Sequence, residues 1–181
     1  AELLRVDRIV EDFLLSTKSQ APFLPENLRD LVDGVLLILR ERAAGQGTTL
    51  ANDMAGDVVV ECQGGRLKQV FYNIIVNALE AIQKGGRVIV ASSVEDGYAV
   101  VEVADTGPGV SADKTEAIFE YYYSTKDKGM GLGLPISYLI VKDHGGELSV
   151  STRKGEGAAF RIRLPLSQPK NNGGLKVTPQ T

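Results

Sequence analysis

The sequence of 181 residues predicts an α+β fold made of one core domain and a short N-terminal helix. Helical periodicity marks three long segments, and several strand segments come as hairpins, which join strands in antiparallel order. The composition, with 43% hydrophobic and 24% charged residues, is that of a globular protein able to bury a core. The length allows about one domain plus an appendage.

Residues 1–18 predict the short helix. Apolar residues recur there at steps of three and four, at Leu3, Val6, Val10 and Phe13. A stripe of about four turns is only marginally helical alone in water. Its apolar side therefore requires a partner, either the domain that follows or another chain.

The rest of the chain divides into three parts. Residues 19–25 contain prolines and small polar residues and predict a linker. Residues 26–166 form the core domain, and residues 167–181, rich in Pro, Asn, Gly and Lys, predict a disordered tail. Because the chain begins at Ala1 and not at Met, we expect a fragment of a longer protein.

The sequence pattern of the core domain predicts helices that alternate with pairs of strands. Helices are expected at 28–45, 66–84 and 134–142, a short helical stretch at 113–118, and strands at 48–51, 58–61, 87–94, 98–104, 147–152 and 158–164. Residues 95–97, Glu-Asp-Gly, predict a hairpin turn, and Gly145 and Gly146 predict the end of the third helix. Residues 121–131 have no clear periodicity and predict a mobile segment.

Charge and rare residue types exclude several classes of protein. A net charge of −3 does not favour binding to nucleic acid. Cys62 is the single cysteine and His144 the single histidine, so the chain has no internal disulfide and no usual zinc site, and a metal would need oxygen ligands. The longest apolar run, residues 35–39, is far shorter than a membrane span, and no signal-peptide pattern is present. We therefore expect a cytoplasmic domain without membrane contact.

Four short elements stand out as candidates for chemistry. They are Asn73 and Asn77 in the second helix, residues 105–110 (Asp-Thr-Gly-Pro-Gly-Val), residues 129–134 (Gly-Met-Gly-Leu-Gly-Leu) and residues 155–160 (Gly-Glu-Gly-Ala-Ala-Phe). The P-loop, the dinucleotide-binding glycine pattern and the His-Arg-Asp catalytic loop are absent from the sequence. A nucleotide site would have to be assembled from separated parts.

Each element has a chemical use. An asparagine oxygen is a neutral ligand for magnesium that is also held by triphosphate oxygens. Asp105, at the end of an apolar strand, can accept a hydrogen bond from an exocyclic amine such as that of adenine. Glycines just before a helix let main-chain N–H groups and the positive helix end face phosphate oxygens.

Each element also has a plain structural interpretation. Considered alone, Asp105 is as readily interpreted as a turn residue as a ligand-binding one. Residues 129–133 alone would be interpreted as a flexible loop, and Asn73 and Asn77 alone as part of a solvated helix face. In this order and spacing, the elements together favour a nucleotide site.

These elements resemble the sequence boxes of the ATP-binding catalytic domain of sensor histidine kinases, in the superfamily shared with gyrase, MutL and heat-shock chaperone ATPases. Residues 73–81 (Asn-Ile-Ile-Val-Asn-Ala-Leu-Glu-Ala) resemble the asparagine box, and residues 105–110 and 129–134 resemble the two glycine boxes. Residues 118–126 resemble the phenylalanine box. Residues 4–13 resemble the last turns of the second dimerization helix, and the chain looks most like nitrogen-regulation-type kinases.

The resemblance implies a two-layer sandwich of the Bergerat type, with a mixed, mostly antiparallel sheet and about three helices on one face. It also implies that ATP and Mg²⁺ bind, with Asn77 on the metal, Asn73 placing metal or phosphate, Asp105 on the adenine amine and Lys126 near the terminal phosphate. Asn73, Asn77 and Lys126 are the implied catalytic residues. The implied nucleotide-binding residues are Asn73, Asn77, Ala81, Asp105, Gly107, Gly109, Val110, Phe119, Thr125, Lys126, Gly129, Gly131, Leu132, Gly133, Leu134 and Ala159.

The implied reaction is in-line transfer of the ATP γ-phosphoryl group to a histidine nitrogen, for relay to an aspartate of a response regulator. The implied partners are a His-containing dimerization domain of the same parent protein, which is expected to be a homodimer, and the response regulator. His144 lies at a predicted helix end, where we expect capping or packing. The acceptor histidine is therefore expected outside this chain, which should not phosphorylate itself alone.

Two alternatives stay open. Gyrase-like ATPases carry a glutamate that activates water at the position of Asn73, and an asparagine cannot act as that base, so hydrolysis is expected to be slow. A regulatory or interaction module that keeps the fold without turnover is the other alternative, and the intact boxes favour the kinase. The role of Glu80 stays open.

Overall fold

The computed structural model of the chain describes residues 21–82, 85–111, 114–115, 117–122, 131–152, 155 and 157–168. The predicted N-terminal helix at residues 1–18 lies outside the described residues, as do residues 169–181 of the predicted tail. Within the described part, no helix combines the length and the apolar character of a transmembrane span.

Three α-helices, seven strands and one 3₁₀ turn make up the described structure. The helices are α1 (Leu28–Gly45), α2 (Gly64–Ala81) and α3 (Gly133–Asp143). The strands are β1 (Leu24–Asn27), β2 (Thr48–Asn52), β3 (Val59–Cys62), β4 (Gly86–Glu95), β5 (Tyr98–Asp105), β6 (Glu147–Thr152) and β7 (Ala158–Pro165), and the 3₁₀ turn spans Ala117–Phe119.

The elements form two layers. Five strands make one sheet in the order β2, β4, β5, β7, β6, which is antiparallel except for the parallel pair β2 and β4. α1 contacts β2, α2 contacts β5 and α3 contacts β6, so the helices follow the order of the strands they cover. β1 and β3 form a separate antiparallel pair. The predicted α+β sandwich with a mostly antiparallel sheet and three helices is confirmed.

The middle helix, α2, provides the largest buried face. Leu67, Phe71, Ile74, Ile75 and Leu79 are all 0% exposed. Their spacing of three and four residues places them on one side of a helix. Burying each such side chain stabilises the fold by about 1.5–3 kcal/mol. This face fixes α2 against the sheet, and the asparagines of the same helix are held in position with it.

The beginning of the domain differs from the prediction. Leu24 and Pro25, assigned to the linker, belong to β1, which pairs Leu24 with Cys62 and Asn27 with Val59 of β3. The four residues of β1 lack the alternation typical of a strand, which is why the sequence did not indicate one. Proline has no N–H to donate, and it is tolerated because β1 has a single neighbour in its sheet.

Other boundaries differ by a few residues. α2 begins at Gly64, two residues before its predicted start, and residues 83–84 at its predicted end lie outside the described residues. In the stretch predicted as helical at 113–118, a 3₁₀ turn over Ala117–Phe119 is described and Asp113 is not. Gln168, assigned to the tail, donates its side-chain amide to the carbonyl oxygens of Glu61 (3.2 Å) and His144 (3.0 Å).

His144, just after α3, is buried and uses both ring nitrogens. Nδ1 lies 2.7 Å from the carbonyl oxygen of Ile140, and Nε2 lies 3.0 Å from the main-chain nitrogen of Gln63, the residue that precedes α2. A neutral ring with its proton on Nδ1 donates to the first and accepts from the second. Phe23 packs on the ring at a centroid distance of 4.9 Å. The expected capping and packing role is confirmed.

Burial lowers the pKa of His144 below its ordinary value of 6.5. The hydrogen bond to the Ile140 carbonyl raises the pKa, the Arg66 charge lowers it further and the Asp143 charge raises it, without cancelling the effect of burial. The folded protein therefore binds a proton at this site more weakly than the unfolded chain does.

We predict that the free energy of unfolding decreases as the pH falls below about 6.5, because the unfolded chain gains the His144 proton first. Urea unfolding from about pH 8 to about pH 5 measures this decrease. His144→Gln, which keeps a side-chain acceptor for the Gln63 N–H, should remove it. A wild-type slope equal to that of the variant would contradict the assignment.

Candidate functional site

Asp105 ends β5 with a buried carboxylate, 7% exposed. Its Oδ1 accepts the N–H of Gly107 at 2.7 Å, and the N–H of Ala158 is also hydrogen-bonded to the carboxylate. Burial raises the pKa of Asp105, and these two backbone hydrogen bonds lower it only in part. An ionised carboxylate accepts up to about four hydrogen bonds, so two backbone donors leave acceptor capacity for a ligand.

Gly107 brings the end of α2 to this carboxylate. A Cβ at position 107 would lie 2.7 Å from Asp105 Oδ1 and 3.2 Å from the Cβ of Ala81, the last residue of α2. A side chain does not fit in this space without displacing one of the two. The glycine is therefore required by the close approach of β5 and α2, which places Ala81 beside Asp105.

The hairpin of β6 and β7 closes over the same point. A Cβ on Gly157, which has a φ of +90°, would overlap the carbonyl oxygen of Asp105. Thr152 Oγ1 accepts the N–H of Val110 at 2.7 Å and donates to the carbonyl of Gly157 at 3.1 Å. In the register of β5 and β7, Ala159 lies opposite the residue that precedes Asp105. The hairpin thus holds both Asp105 and the loop that follows it.

Asn73 joins the middle of α2 to the start of α3. Its Nδ2 donates to the carbonyl of Gly133 at 3.1 Å and lies 3.2 Å from Ser137 Oγ, which itself donates to the Gly133 carbonyl at 2.8 Å. The two amide protons are therefore directed at α3. The amide oxygen is the part of Asn73 that remains to act on a ligand.

The first turn of α3 adds main-chain donors to the site. Leu132, which precedes Gly133, makes no side-chain capping hydrogen bond to the helix. The first N–H groups of a helix lack partners within it and carry partial positive charge. Held next to Asn73, these groups suit an anionic oxygen, as the glycine-box interpretation requires.

Asn77 lies one helical turn beyond Asn73, and its side chain is partly buried. A spacing of four places the two asparagines on the same side of α2. Glu80, whose role the sequence left open, pairs with Arg42 of α1, with 2.9 Å between Oε1 and Nη2. This ion pair joins α1 to α2 and gives Glu80 a structural partner.

Phe119 lies in the 3₁₀ turn, and its ring is 5.9 Å from that of Tyr138 on α3, measured between centroids. The turn is thereby packed against the helix that follows the second glycine box. Among the described residues, no group of three or more His, Cys, Asp or Glu side chains could hold a metal ion.

The described contacts bring the predicted residues together in two clusters. Asp105, Gly107 and Ala81 meet directly, and Asn73 meets Gly133. Thr125, Lys126 and Gly129 lie outside the described residues, so their roles stay predictions.

The sequence analysis missed the two hydroxyls that organise the site, Ser137 and Thr152. The sequence signal for Ser137 was a small polar residue among the mostly apolar residues 134–141. The structure buries it completely. Thr152 carried no signal, because a threonine at the end of a strand is common.

A family model described as histidine kinase-, DNA gyrase B- and HSP90-like ATPase matches residues 62–168, more than half of the chain. The chain belongs to this ATPase family. The match covers both clusters, because it runs from Cys62, two residues before α2, to Gln168, just after β7.

Relatives of this ATPase-family chain include two sporulation kinases of Bacillus subtilis. Sporulation kinase E is 34% identical over 175 residues, covering 93% of this chain and 23% of the relative. Sporulation kinase C is 36% identical over 169 residues, covering 92% and 40% respectively. The chain thus spans less than half of the length of either relative.

Solved structures give the same family. The nucleotide-free catalytic domain of the histidine kinase ThkA has a TM-score of 0.76 and 30% identity, over 81% of this chain and 97% of that one. Full-length ShkA in complex with AMPPNP has a TM-score of 0.75 and 29% identity, over 86% and 34%. ThkA in complex with the response regulator protein TrrA has a TM-score of 0.74 and 27% identity, over 91% and 48%.

We predict that Gly157→Ala destabilises this ATPase-family domain by about 2–5 kcal/mol, because the added Cβ meets the Asp105 carbonyl and the backbone is strained. Gly155→Ala is the matched control. Gly155 has a φ of +84° with nothing within 4 Å of its Cβ position, so only the backbone strain, about 1–2 kcal/mol, should appear. Chemical denaturation measures both, and equal losses would contradict a packing role for Gly157.

Proposed function

We propose that the chain is the ATP-binding catalytic domain of a sensor histidine kinase. The catalytic domain begins with β1 at Leu24 and extends to residue 166, residues 1–18 form the end of the second dimerization helix, and the residues between them form the connection. The observation that carries the proposal is the buried Asp105 carboxylate, which has acceptor capacity left, lies beside the end of α2 and is held by a glycine that cannot be replaced without a clash.

The site residues suit both ends of an ATP molecule, the adenine and the triphosphate. A buried carboxylate is costly unless donors satisfy it, and the exocyclic amine of adenine is such a donor. At the other end, the oxygens of Asn73 and Asn77 and the first turn of α3 supply neutral oxygen ligands and main-chain donors for a triphosphate with magnesium. Bound Mg²⁺ neutralises charge on the phosphates. AMPPNP, which ShkA binds, is an ATP analogue of this type.

The chemistry is transfer of the γ-phosphoryl group. A lone pair of a neutral imidazole nitrogen forms the N–P bond while the bond from the γ-phosphorus to the bridging oxygen breaks, and ADP leaves with that electron pair. The other ring nitrogen keeps its proton until the product loses it to solvent. The attacking nitrogen carries no proton, so the domain contributes position and charge neutralisation and no general base.

The acceptor is a histidine of another domain. Both nitrogens of His144 are hydrogen-bonded to backbone groups, and its side chain is 1% exposed, so it cannot reach a bound phosphate. The partners are the His-bearing dimerization domain of a homodimeric parent and a response regulator, and this domain acts in the cytoplasm. ThkA, a structural relative, is seen with such a regulator, TrrA.

Rapid ATP hydrolysis is the less favoured function. A water-activating base would have to stand at Asn73, whose amide protons are directed at Gly133 and Ser137. A glutamate there could not donate these hydrogen bonds. The contacts of Asn73 therefore favour a structural and ligand-placing role over proton abstraction.

We expect calorimetric titration with a non-hydrolysable ATP analogue to show saturable binding that magnesium strengthens. Asp105→Asn should weaken binding by about tenfold or more, because it loses a charged acceptor for the adenine amine, while the Gly107 hydrogen bond and the fold are kept. Glu102→Gln, an exposed neighbour on the same strand, is the control. Equal affinities of the two variants for the ATP analogue would show that Asp105 does not contribute to nucleotide binding.

Asn77→Ala should abolish most of the magnesium enhancement in the same titration and leave metal-free binding nearly unchanged. Gln69→Ala, an exposed residue of the same helix, should keep the enhancement. A magnesium effect that survives in Asn77→Ala would show that the metal ligand lies elsewhere.

Transfer itself is tested with radiolabelled ATP and the separately produced dimerization domain of the parent. We expect label on that domain only when this chain, Mg²⁺ and the acceptor histidine are all present, and none on this chain alone. The label should be acid-labile, as a phosphoramidate is. ATP binding without any transfer to the supplied domain would favour the interaction-module alternative.

A further inference from the structure

The outer face of α1 exposes an unusual amount of apolar surface. Leu37 and Ile38 are each 70% exposed, the largest exposures among the large hydrophobic residues that the structure describes. Leu37 also lines a groove of about 440 Å³ between α1 and the edge strand β2, which Leu36 and Leu50 line as well. Leu37 and Ile38 point about 100° apart around the helix, so Leu37, with Leu36 and Leu50, forms the apolar centre of a groove that also has charged residues in its wall.

Two opposite charges flank this apolar centre on the same side of the helix. Asp33 and Arg40 also line the groove and are seven residues apart, which is about 10.5 Å along a helix axis and two turns of the helix. Leu36 and Leu37 lie midway between them. The face therefore has the order acidic, apolar, basic.

Neither charge is neutralised within the described chain. Asp33 accepts a hydrogen bond from the neutral amide of Asn52, at 2.7 Å. Arg40 has no ion-pair partner among the described residues, whereas Arg42, two positions further, pairs with Glu80. Arg40 is thus available to a carboxylate from outside the domain.

This pattern is complementary to itself. In a two-fold symmetric interface, the same patch on both copies meets in opposite directions. Two α1 helices packed antiparallel about an axis through Leu36 and Leu37 place Asp33 of each copy opposite Arg40 of the other and bury Leu37 of each copy between them. A parallel arrangement would instead oppose like charges.

We propose that the α1 face, defined as Asp33, Leu36, Leu37 and Arg40, binds a second copy of this chain in antiparallel register. The contact is separate from the predicted dimerization helix at residues 1–18. It does not depend on nucleotide binding, so it can fail while the proposed function stands, and the reverse also holds.

The test is a charge-swap experiment on the full 181-residue chain, read by sedimentation equilibrium. Wild type should form a dimer whose dissociation constant rises with salt. Arg40→Glu and Asp33→Arg should each weaken it by on the order of tenfold, because each opposes like charges at two symmetric positions. An equimolar mixture of the two variants should restore association, because Asp33 then meets Arg40 and Glu meets Arg across the interface.

Matched controls separate the surface from the fold. Glu41→Lys changes the net charge as much as Asp33→Arg does, but this residue does not line the groove and should leave the dimer intact. Leu37→Glu should abolish association, and Val94→Glu, at a residue 55% exposed on β4, should not. Circular dichroism checks that each variant is folded.

Three results would overturn the proposal. The first is a wild-type chain that stays monomeric at the highest protein concentration tested. Occupation of the groove by residues 1–18 of the same chain would give this result and would equally overturn the proposal. The second is a dimer that both single charge variants leave unchanged, which would assign association to another surface. The third is a mixture of the two folded variants that does not associate more strongly than either one alone.

Discussion

The buried carboxylate of Asp105 is the constraint on which the site depends. A charge out of water is costly unless donors surround it, and here the donors are main-chain N–H groups of Gly107 and Ala158. Those groups reach the carboxylate only because positions 107 and 157 carry no side chain. The end of one strand, the end of α2 and the last hairpin are therefore fixed relative to one another by a single acidic group.

A second, uncharged connection fixes the other half of the site. Asn73 and Ser137 form a small hydrogen-bonded cluster with the Gly133 carbonyl, between the middle of α2 and the start of α3. The cluster uses the amide nitrogen of Asn73 within the fold, and under the proposed function the amide oxygen is the atom that binds the ligand. Since α2 carries both Asn73 and Ala81, the two halves are held at a fixed distance along one rigid helix.

Much of this was predictable from the sequence, because the deciding signals were local. Helical and strand periodicity located three helices and six of seven strands, and glycine positions marked the places where backbones approach. β1 was not predicted because four residues that include a proline carry no periodic signal. Its strand conformation depends on its partner β3, which is distant in sequence. The ion pair of Glu80 with Arg42 and the hydrogen bonds of Ser137 and Thr152 could not be predicted, since each depends on which elements become neighbours.

The corner around His144 has a consequence for how the domain can be connected to others. Gln63 bonds through its side chain to the carbonyl of Ala21, at 2.5 Å, and through its main-chain nitrogen to the His144 ring, while Gln168 bonds to the His144 carbonyl. Ala21, just before β1, and Gln168, just after β7, are thus tied to one small region. A module whose two ends emerge side by side can be spliced into a surface loop of an unrelated host at little entropic cost, because the host loop need not stretch to span it.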